Sequence, residues 1–236
     1  MKKLTVGMVF LVATLDAATL LAQSPKYPPL GEYMMTPEAE SALAKSAAPE
    51  NVSAHATVKM LTAAGYKVAT QGDNGFVCIV MRGWGAPTFT PAPLRDLVYY
   101  SKLRAPICFN PVASRTVLPL QELRARLGME GKTPDQIAEG VQAAYAKGEL
   151  PRMETVAFAY MFSADQDLGP GVGAWHPHMM VYTAYYENSM LGGNQFAGAL
   201  PVVTDDAGTP FAVTVIQVAH ELAVKAQGKN DVKPGR

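Results

Sequence analysis

The chain lacks an excess of charge of either sign. Its 236 residues include 20 basic and 20 acidic residues, so the formal net charge is 0. Surfaces that bind nucleic acid or anionic lipid depend on an excess of positive charge, and this balance supports neither partner. Apolar residues make up 49% of the chain, a proportion typical of a folded domain with a core.

The well-marked catalytic and cofactor motifs are also missing. There is no Gly-x-Ser-x-Gly nucleophile elbow, no P-loop and no Cys-x-x-Cys-His haem attachment. His220-Glu221 begins like a zinc-protease helix, but Val224 stands where the second histidine is required. No internal repeat with a period of about 20–50 residues occurs. No cofactor is therefore implied, and the activity is left open.

One long apolar run stands at the start of the chain. Lys2 and Lys3 precede the apolar stretch Leu4–Leu15, and small residues then lead to Ala22. This is the layout of a secretory signal peptide over residues 1–22. Asp16 argues against an uncleaved anchor, since a charge near a span centre costs about 2.5–3.5 kcal/mol. The sequence predicts a periplasmic or secreted protein with no transmembrane span in the mature chain.

Cysteine is scarce: Cys78 and Cys108 are the only two. An even number in an oxidising compartment favours a disulfide. Such a bridge would close a loop of about 31 residues and contribute roughly 3–4 kcal/mol. The alternative is a pair of buried free thiols. Neither cysteine has a histidine or another base nearby in sequence, which argues against a catalytic thiol.

The rest of the chain predicts one α+β domain over residues 37–225. Residues 23–36 contain three prolines, which predicts an extended arm on the domain surface, and residues 226–236 predict a flexible tail. Helices clustered between strand-rich ends predict one antiparallel sheet of about five or six strands, with helices packed on one face.

Capping residues locate the predicted helices. Thr36-Pro37 begins the first, Asn51 or Ser53 begins a second that runs through Ala64, and Thr133 with Gln136 forms a capping box. Two further helices are predicted over residues 90–103 and 116–127.

Turn residues and β-prone runs locate the strands. Residues 66–70 and 76–81 flank a glycine-rich turn, which predicts an antiparallel hairpin. Both faces of 76–81 are apolar, so this strand is predicted to be central. The other predicted strands cover 156–162, 179–185 and 211–218, the last pairing with 200–203.

Two histidines, His176 and His178, provide the first candidate site. At i and i+2 in an extended segment they point to the same side, a spacing that suits a transition metal. Carboxylates that could join them are Asp165, Asp167 and Glu187. The alternative is a hydrogen-bonded core histidine at 178 and an exposed loop residue at 176. Asp165 and Asp167 resemble the start of a calcium loop, but its remaining ligands are missing.

A small-ligand site is the second candidate, lined by Trp175, His178 and Tyr182. His178 follows a proline and opens a β-prone apolar run, so we expect it partly buried at the mouth of a sheet-lined pocket. Burial would lower its pKa and a neighbouring carboxylate would raise it. His178 is therefore also the best candidate for a catalytic group.

Several short segments resemble a family of uncharacterised secreted bacterial proteins. The similarity covers most of residues 60–218 and is carried by Gly75–Cys78, Ser114–Thr116, Ala159–Met161, Pro177–Tyr182 and Gly208–Pro210. The resemblance implies export and no activity. Similar members have another residue at position 176, which leaves His178 as the better candidate.

These observations predict an exported soluble domain that binds a small ligand or a cell-envelope partner. The alternative is a hydrolase or metal-dependent enzyme that uses His178 with nearby carboxylates.

Overall fold

The computed structural model describes residues 26–85, 94–154, 156–170, 173, 176–192, 201–204 and 206–226. The predicted signal peptide, residues 23–25 of the predicted arm and residues 227–236 of the predicted tail lie outside these ranges. Within them, no helix combines the length and the apolar character needed to cross a bilayer.

An eight-stranded mixed sheet forms the centre of the molecule, in the order β2-β1-β3-β4-β5-β6-β8-β7. The α+β class is confirmed, but the sheet has more strands than predicted. The β1–β3 pair is parallel, and every other pair is antiparallel. The strands are β1 (Thr57–Thr62), β2 (Gly65–Thr70), β3 (Val77–Met81), β4 (Ala105–Phe109), β5 (Phe158–Met161), β6 (His178–Tyr182), β7 (Val202–Val203) and β8 (Val213–Gln217).

The predicted hairpin between residues 66–70 and 76–81 is wrong. β2 pairs instead with β1, and the tight turn joining them ends at Gly65, whose φ of +88° suits glycine. Residues 57–62, expected at the end of a helix, therefore form a strand. Val58 and Leu61 are buried in two separate core clusters, so burial outweighs the weak helix preference of this segment. β3 lies between β1 and β4, which confirms its central position.

Six helices flank the sheet within the described residues: α1 (Pro37–Lys45), α2 (Glu50–Ser53), α3 (Pro111–Thr116), α4 (Leu118–Met129), α5 (Pro134–Ala146) and α6 (His220–Ala226). The Thr36 hydroxyl accepts a hydrogen bond from Ala39 N at 3.3 Å, and Thr133 with Gln136 forms the predicted capping box. The predicted helix 116–127 is displaced to α4. Of the predicted helix 90–103, residues Leu94–Tyr99 form a 3-10 helix.

The helices cover both faces of the sheet, not one as predicted. α1 packs on the face that carries Val58, Cys78 and Val80. α3 and α4 pack on the opposite face, which carries Ile79 and Ile107. Side chains of the central strands point alternately to the two faces of the sheet, and both sets are apolar. Each face is therefore stabilised by a helix packed against it.

The predicted disulfide joins Cys78 to Cys108. These residues lie opposite each other in β3 and β4, with their Cα atoms 4.0 Å apart. Both are fully buried on the face covered by α1. The bridge therefore links two neighbouring central strands.

A buried arginine, Arg82, holds the arm against the domain. Its Nε donates to the Tyr33 carbonyl at 2.7 Å, and its Nη2 lies 2.9 Å from Glu40 Oε2 in an ion pair. The other Glu40 oxygen accepts a hydrogen bond from Leu61 N at 3.0 Å. The arm is not extended throughout, because Leu30–Tyr33 forms a 3-10 helix in which Tyr33 is buried.

Candidate functional site

His178 is more deeply buried than expected. It begins β6 between Met161 and Gln217 of the neighbouring strands, and only 2% of its surface is exposed. Its Nδ1 lies 2.7 Å from the His176 carbonyl oxygen, and His176 itself is exposed. Burial lowers the pKa of His178 below its ordinary value, which favours the neutral ring. This geometry corresponds to the hydrogen-bonded core histidine of the alternative interpretation.

The carboxylates proposed as partners form no metal-binding group with the histidines within the described residues. Asp165 is exposed, Asp167 accepts a hydrogen bond from Gly169 N at 2.9 Å, and Glu187 follows the opposite end of β6 from His178. Among the residues that the structure describes, no group of three or more histidine, cysteine or acidic side chains could hold a metal ion. The metal site of His176 and His178 stays a prediction.

Tyr182 ends β6 and lies on the same face of the strand as His178, roughly 13 Å away at about 3.3 Å per residue. The third residue expected to line this ligand site, Trp175, lies outside the described residues. Tyr182 is 5% exposed and its ring stacks on Phe109. Its hydroxyl has no hydrogen-bond partner in the described part of the chain. Burial raises the pKa of Tyr182, and the nearby charge of Arg124 partly offsets this rise.

Arg124 of α4 places a buried positive charge near Tyr182. It is 4% exposed, and its Nη1 makes a long hydrogen bond of 3.3 Å to the Gly85 carbonyl. Its Nη2 lies 3.9 Å from Oδ2 of the buried Asp206, a loose ion pair. Burial lowers the pKa of Arg124, and the charges of Asp206 and Tyr182 act in the opposite direction. The guanidinium stays protonated because its ordinary pKa is far above neutral pH.

The packing of α4 explains why Arg124 is buried. Leu120, Leu123 and Leu127 form the apolar stripe of this helix at spacings of three and four residues, and Arg124 lies within that stripe. One turn later, Gly128 gives room for the Trp84 ring, since a Cβ there would come 2.2 Å from Trp84 Cδ1. Trp84 therefore packs against α4 beside the arginine.

Several buried polar atoms here have no hydrogen-bond partner among the described residues: Nε and Nη2 of Arg124, Nε1 of Trp84, Oε1 of Gln121 and the hydroxyl of Tyr182. We call these four residues together with Asp206 the Arg124 cluster. Each unpartnered buried group costs about 1–3 kcal/mol. Native proteins contain few of them, and those that occur call for a specific explanation such as a bound water, ion or ligand. The cluster can therefore donate hydrogen bonds to a polar molecule.

Tyr182 is the one residue of the Arg124 cluster that the sequence predicts as a site residue. A signal for Arg124 was available, because this arginine lies at spacings of four and three residues from Leu120 and Leu127, on a side of the helix that the leucines predict to be packed. Asp206 had no comparable signal. It lies in the loop between β7 and β8, and only the tertiary structure brings that loop to α4.

A shallow groove of about 490 Å³ lies beside α1 and α2. Asp165 lines it together with Lys45, Ser46 and Glu50, but none of His176, His178 and Tyr182 does. The groove is therefore a surface feature, and it is separate from His178 and Tyr182, which are buried.

Searches of protein-family models, curated proteins and solved structures found no match to this chain. The resemblance to secreted bacterial proteins stays a prediction.

Proposed function

We propose that this protein is an exported domain that binds a small polar molecule at the Arg124 cluster. One observation carries the proposal: a buried guanidinium has a single, long hydrogen bond, while its Nε and Nη2 have no hydrogen-bond partner among the described residues and Nη2 has only a loose ion pair with Asp206. Export follows from the predicted signal peptide and is compatible with the Cys78–Cys108 bridge.

The energetics of burial support a ligand. A charge taken from water into the interior is stabilised only when its donors are satisfied. The Arg82 guanidinium in the same protein is better satisfied: its Nε and Nη1 donate to backbone carbonyls, and its Nη2, which makes no hydrogen bond, lies 2.9 Å from Glu40 Oε2 in an ion pair. Arg124 is nearly as buried, yet its Nε and Nη2 make no hydrogen bond within the described residues, and these parallel donors suit an oxygen-bearing ligand.

The test exchanges Arg124 for lysine, which keeps the charge but removes the planar pair of donors. Protein purified from the periplasm is analysed by native mass spectrometry, and a small-molecule library is then screened by thermal shift. Arg126→Lys is the matched control, because Arg126 lies on the same helix and is exposed. We expect a bound or stabilising compound with the wild type and Arg126→Lys, and none with Arg124→Lys.

A negative result has a clear meaning. If no compound binds, and Arg124→Lys behaves as the wild type in every assay, the donors of Arg124 are satisfied by water and the cluster is structural.

A hydrolase or metal-dependent enzyme using His178 is the second candidate. The observation in its favour is the neutral ring, in which a proton on Nδ1 donated to the His176 carbonyl leaves Nε2 as the basic nitrogen. Metal analysis of the periplasmic protein tests it. A stoichiometric transition metal that is lost in His178→Ala would favour this candidate over the Arg124 cluster.

A further inference from the structure

The groove beside α1 and α2 is a second feature of this protein with room for a ligand. Its volume of about 490 Å³ falls within the range of about 300–1,000 Å³ that is typical of small-molecule sites. α1 contributes the small side chains of Ala39 and Ala42 together with Leu43, and these make part of the lining apolar. The groove shares no lining residue with the Arg124 cluster, so the two features are independent.

Hydrogen bonds hold the two sides of the groove together. The Ser46 hydroxyl, at the end of α1, donates to the Ser163 hydroxyl oxygen at 2.8 Å, and that oxygen also accepts a hydrogen bond from Asp165 N at 3.2 Å. The neighbouring Phe162 N donates to the Ala47 carbonyl at 2.9 Å. Asp165 is thereby fixed beside the C-terminal end of α1. The groove is therefore formed by segments that are already joined before a ligand binds.

Ser53 contributes a buried hydroxyl to the groove. The residue is 7% exposed, and it belongs to the lining. Its hydroxyl makes no hydrogen bond with the described part of the chain and is not sealed inside the protein. A serine hydroxyl can donate one hydrogen bond and accept others. A ligand in the groove can therefore satisfy this hydroxyl with a carbonyl oxygen or an N–H group.

Side chains of both charge signs line the groove. Lys45 contributes a positive charge, and Glu50 and Asp165 contribute negative charges. Within the described residues, none of these three side chains makes an ion pair or a hydrogen bond. A simple cation would be repelled by Lys45, and a simple anion by the two carboxylates. A ligand with one ammonium and one carboxylate group matches both signs, and such complementarity favours the correct partner.

We infer that the groove binds the zwitterion of an amino acid or short peptide. The ammonium group of the ligand lies against Glu50 or Asp165, its carboxylate lies against Lys45, and it forms a hydrogen bond with the Ser53 hydroxyl. The lining of Leu43 and the two alanines favours a ligand with small apolar side chains. This site is additional to the Arg124 cluster and does not depend on the function proposed there.

The first experiment measures whether both charged groups of the ligand are recognised. The probes are alanine, dialanine, trialanine and tetraalanine, each titrated into the protein at pH 7 and followed by NMR chemical shifts. For the tightest binder, N-acetylation then removes the ammonium group and amidation removes the carboxylate. We expect each modification to weaken binding by about two- to fivefold, since each removes one partly exposed ion pair.

The second experiment assigns each charged group of the ligand to its side chain. Lys45→Met should weaken binding of the free ligand by about two- to fivefold and leave binding of its amide unchanged, because the amide has no carboxylate to lose. The double variant Glu50→Gln/Asp165→Asn should weaken the free ligand by a similar factor and leave the N-acetylated ligand unchanged. Ser53→Ala should weaken all three forms by at least about twofold.

Lys147→Met and Glu38→Gln are the matched controls, because both residues are exposed and neither lines the groove. Both controls should bind the free ligand as the wild type does. Equal binding of the free and modified ligands, or losses in the variants that persist with the modified ligands, would overturn the inference. It would also be overturned if no probe shifted the resonances of groove residues up to its solubility limit. None of these outcomes bears on the Arg124 cluster, which is tested with different variants.

Discussion

Arg82 and Arg124 are both buried arginines in one small domain, and they are held in different ways. Arg82 is 1% exposed and faces the Tyr33 carbonyl, the Val80 carbonyl and the Glu40 carboxylate. Arg124 is 4% exposed and has one hydrogen bond of 3.3 Å and an acid 3.9 Å away. Burial alone therefore does not identify a structural ion pair.

The surroundings of the two arginines explain the difference. Arg82 joins segments that must stay together for the fold, namely the arm, α1 and the centre of the sheet. Arg124 lies between α4 and the loop that joins β7 to β8, and it serves no comparable set of backbone acceptors. Arg82 has a carboxylate at 2.9 Å and two backbone acceptors, whereas Arg124 has one long hydrogen bond and a carboxylate at 3.9 Å, and this difference is the basis of the proposed ligand site.

The largest expected effect comes from removing the acid of each pair. Glu40→Gln should lower the free energy of unfolding by about 3–5 kcal/mol, because it leaves the fully buried Arg82 charge uncompensated. Asp206→Asn should cost less than Glu40→Gln, because the ion pair that it breaks with Arg124 is longer, at 3.9 Å. Urea unfolding midpoints measure both.

Glu38→Gln is the control for this comparison, because Glu38 is exposed in the first turn of α1 and its loss should cost less than about 0.5 kcal/mol. If Glu40→Gln and Asp206→Asn lose equal free energy of unfolding, the two ion pairs contribute equally to stability.

A smaller effect is expected from the tyrosine beside each arginine. The Tyr66 hydroxyl donates to the Val80 carbonyl at 2.7 Å, so Tyr66→Phe should cost about 0.5–1.5 kcal/mol. The Tyr182 hydroxyl is buried without a hydrogen-bond partner in the described structure, so the ligand-free Tyr182→Phe variant should be at least as stable as the wild type. Thermal unfolding of both single variants provides the measurement. A clear loss of stability in Tyr182→Phe would reveal a structural partner for that hydroxyl.

The smallest expected effect concerns pH and His178, at the other end of the strand that carries Tyr182. Burial lowers the pKa of His178 below the ordinary 6.5. As the pH falls through 6.5, the unfolded chain binds a proton that folded His178 does not, so stability declines until the folded pKa is reached. His178→Asn should remove this part of the pH dependence.

His220→Asn is the matched control, because His220 is exposed and its loss should leave the decline unchanged. The free energy of unfolding of each variant is measured between about pH 5 and 8, the range in which histidine ordinarily titrates. An identical decline in His178→Asn and the wild type would assign the pH dependence to other groups.

Local signals in the sequence determined part of this structure. The Thr36 cap, the Thr133 capping box and the central strand predicted from the continuous apolar run 76–81 each depend on neighbours within a few positions, and each prediction is confirmed. The disulfide was predictable because the chain contains only two cysteines and the sequence predicts export.

Strand pairing was decided by the tertiary structure. The turn at residues 71–75 favoured a hairpin, yet β1 lies between β2 and β3 and forms the parallel pair of the sheet. The residues of a turn carry no information about whether a third segment of the chain forms a better buried partner for one of the flanking strands. For the same reason, the helix predicted through Ala64 gave way to a strand with its apolar residues in two cores.

The candidate site shows the same division. The sequence places Arg124 on the leucine stripe of α4, Tyr182 at the end of a strand and Asp206 in a loop. Only the folded chain brings the three together, because contacts between distant residues depend on how helix and sheet pack and not on local preference. The sequence determined the chemical groups of this protein, and the packing of α4 against the sheet decided which of them are buried side by side.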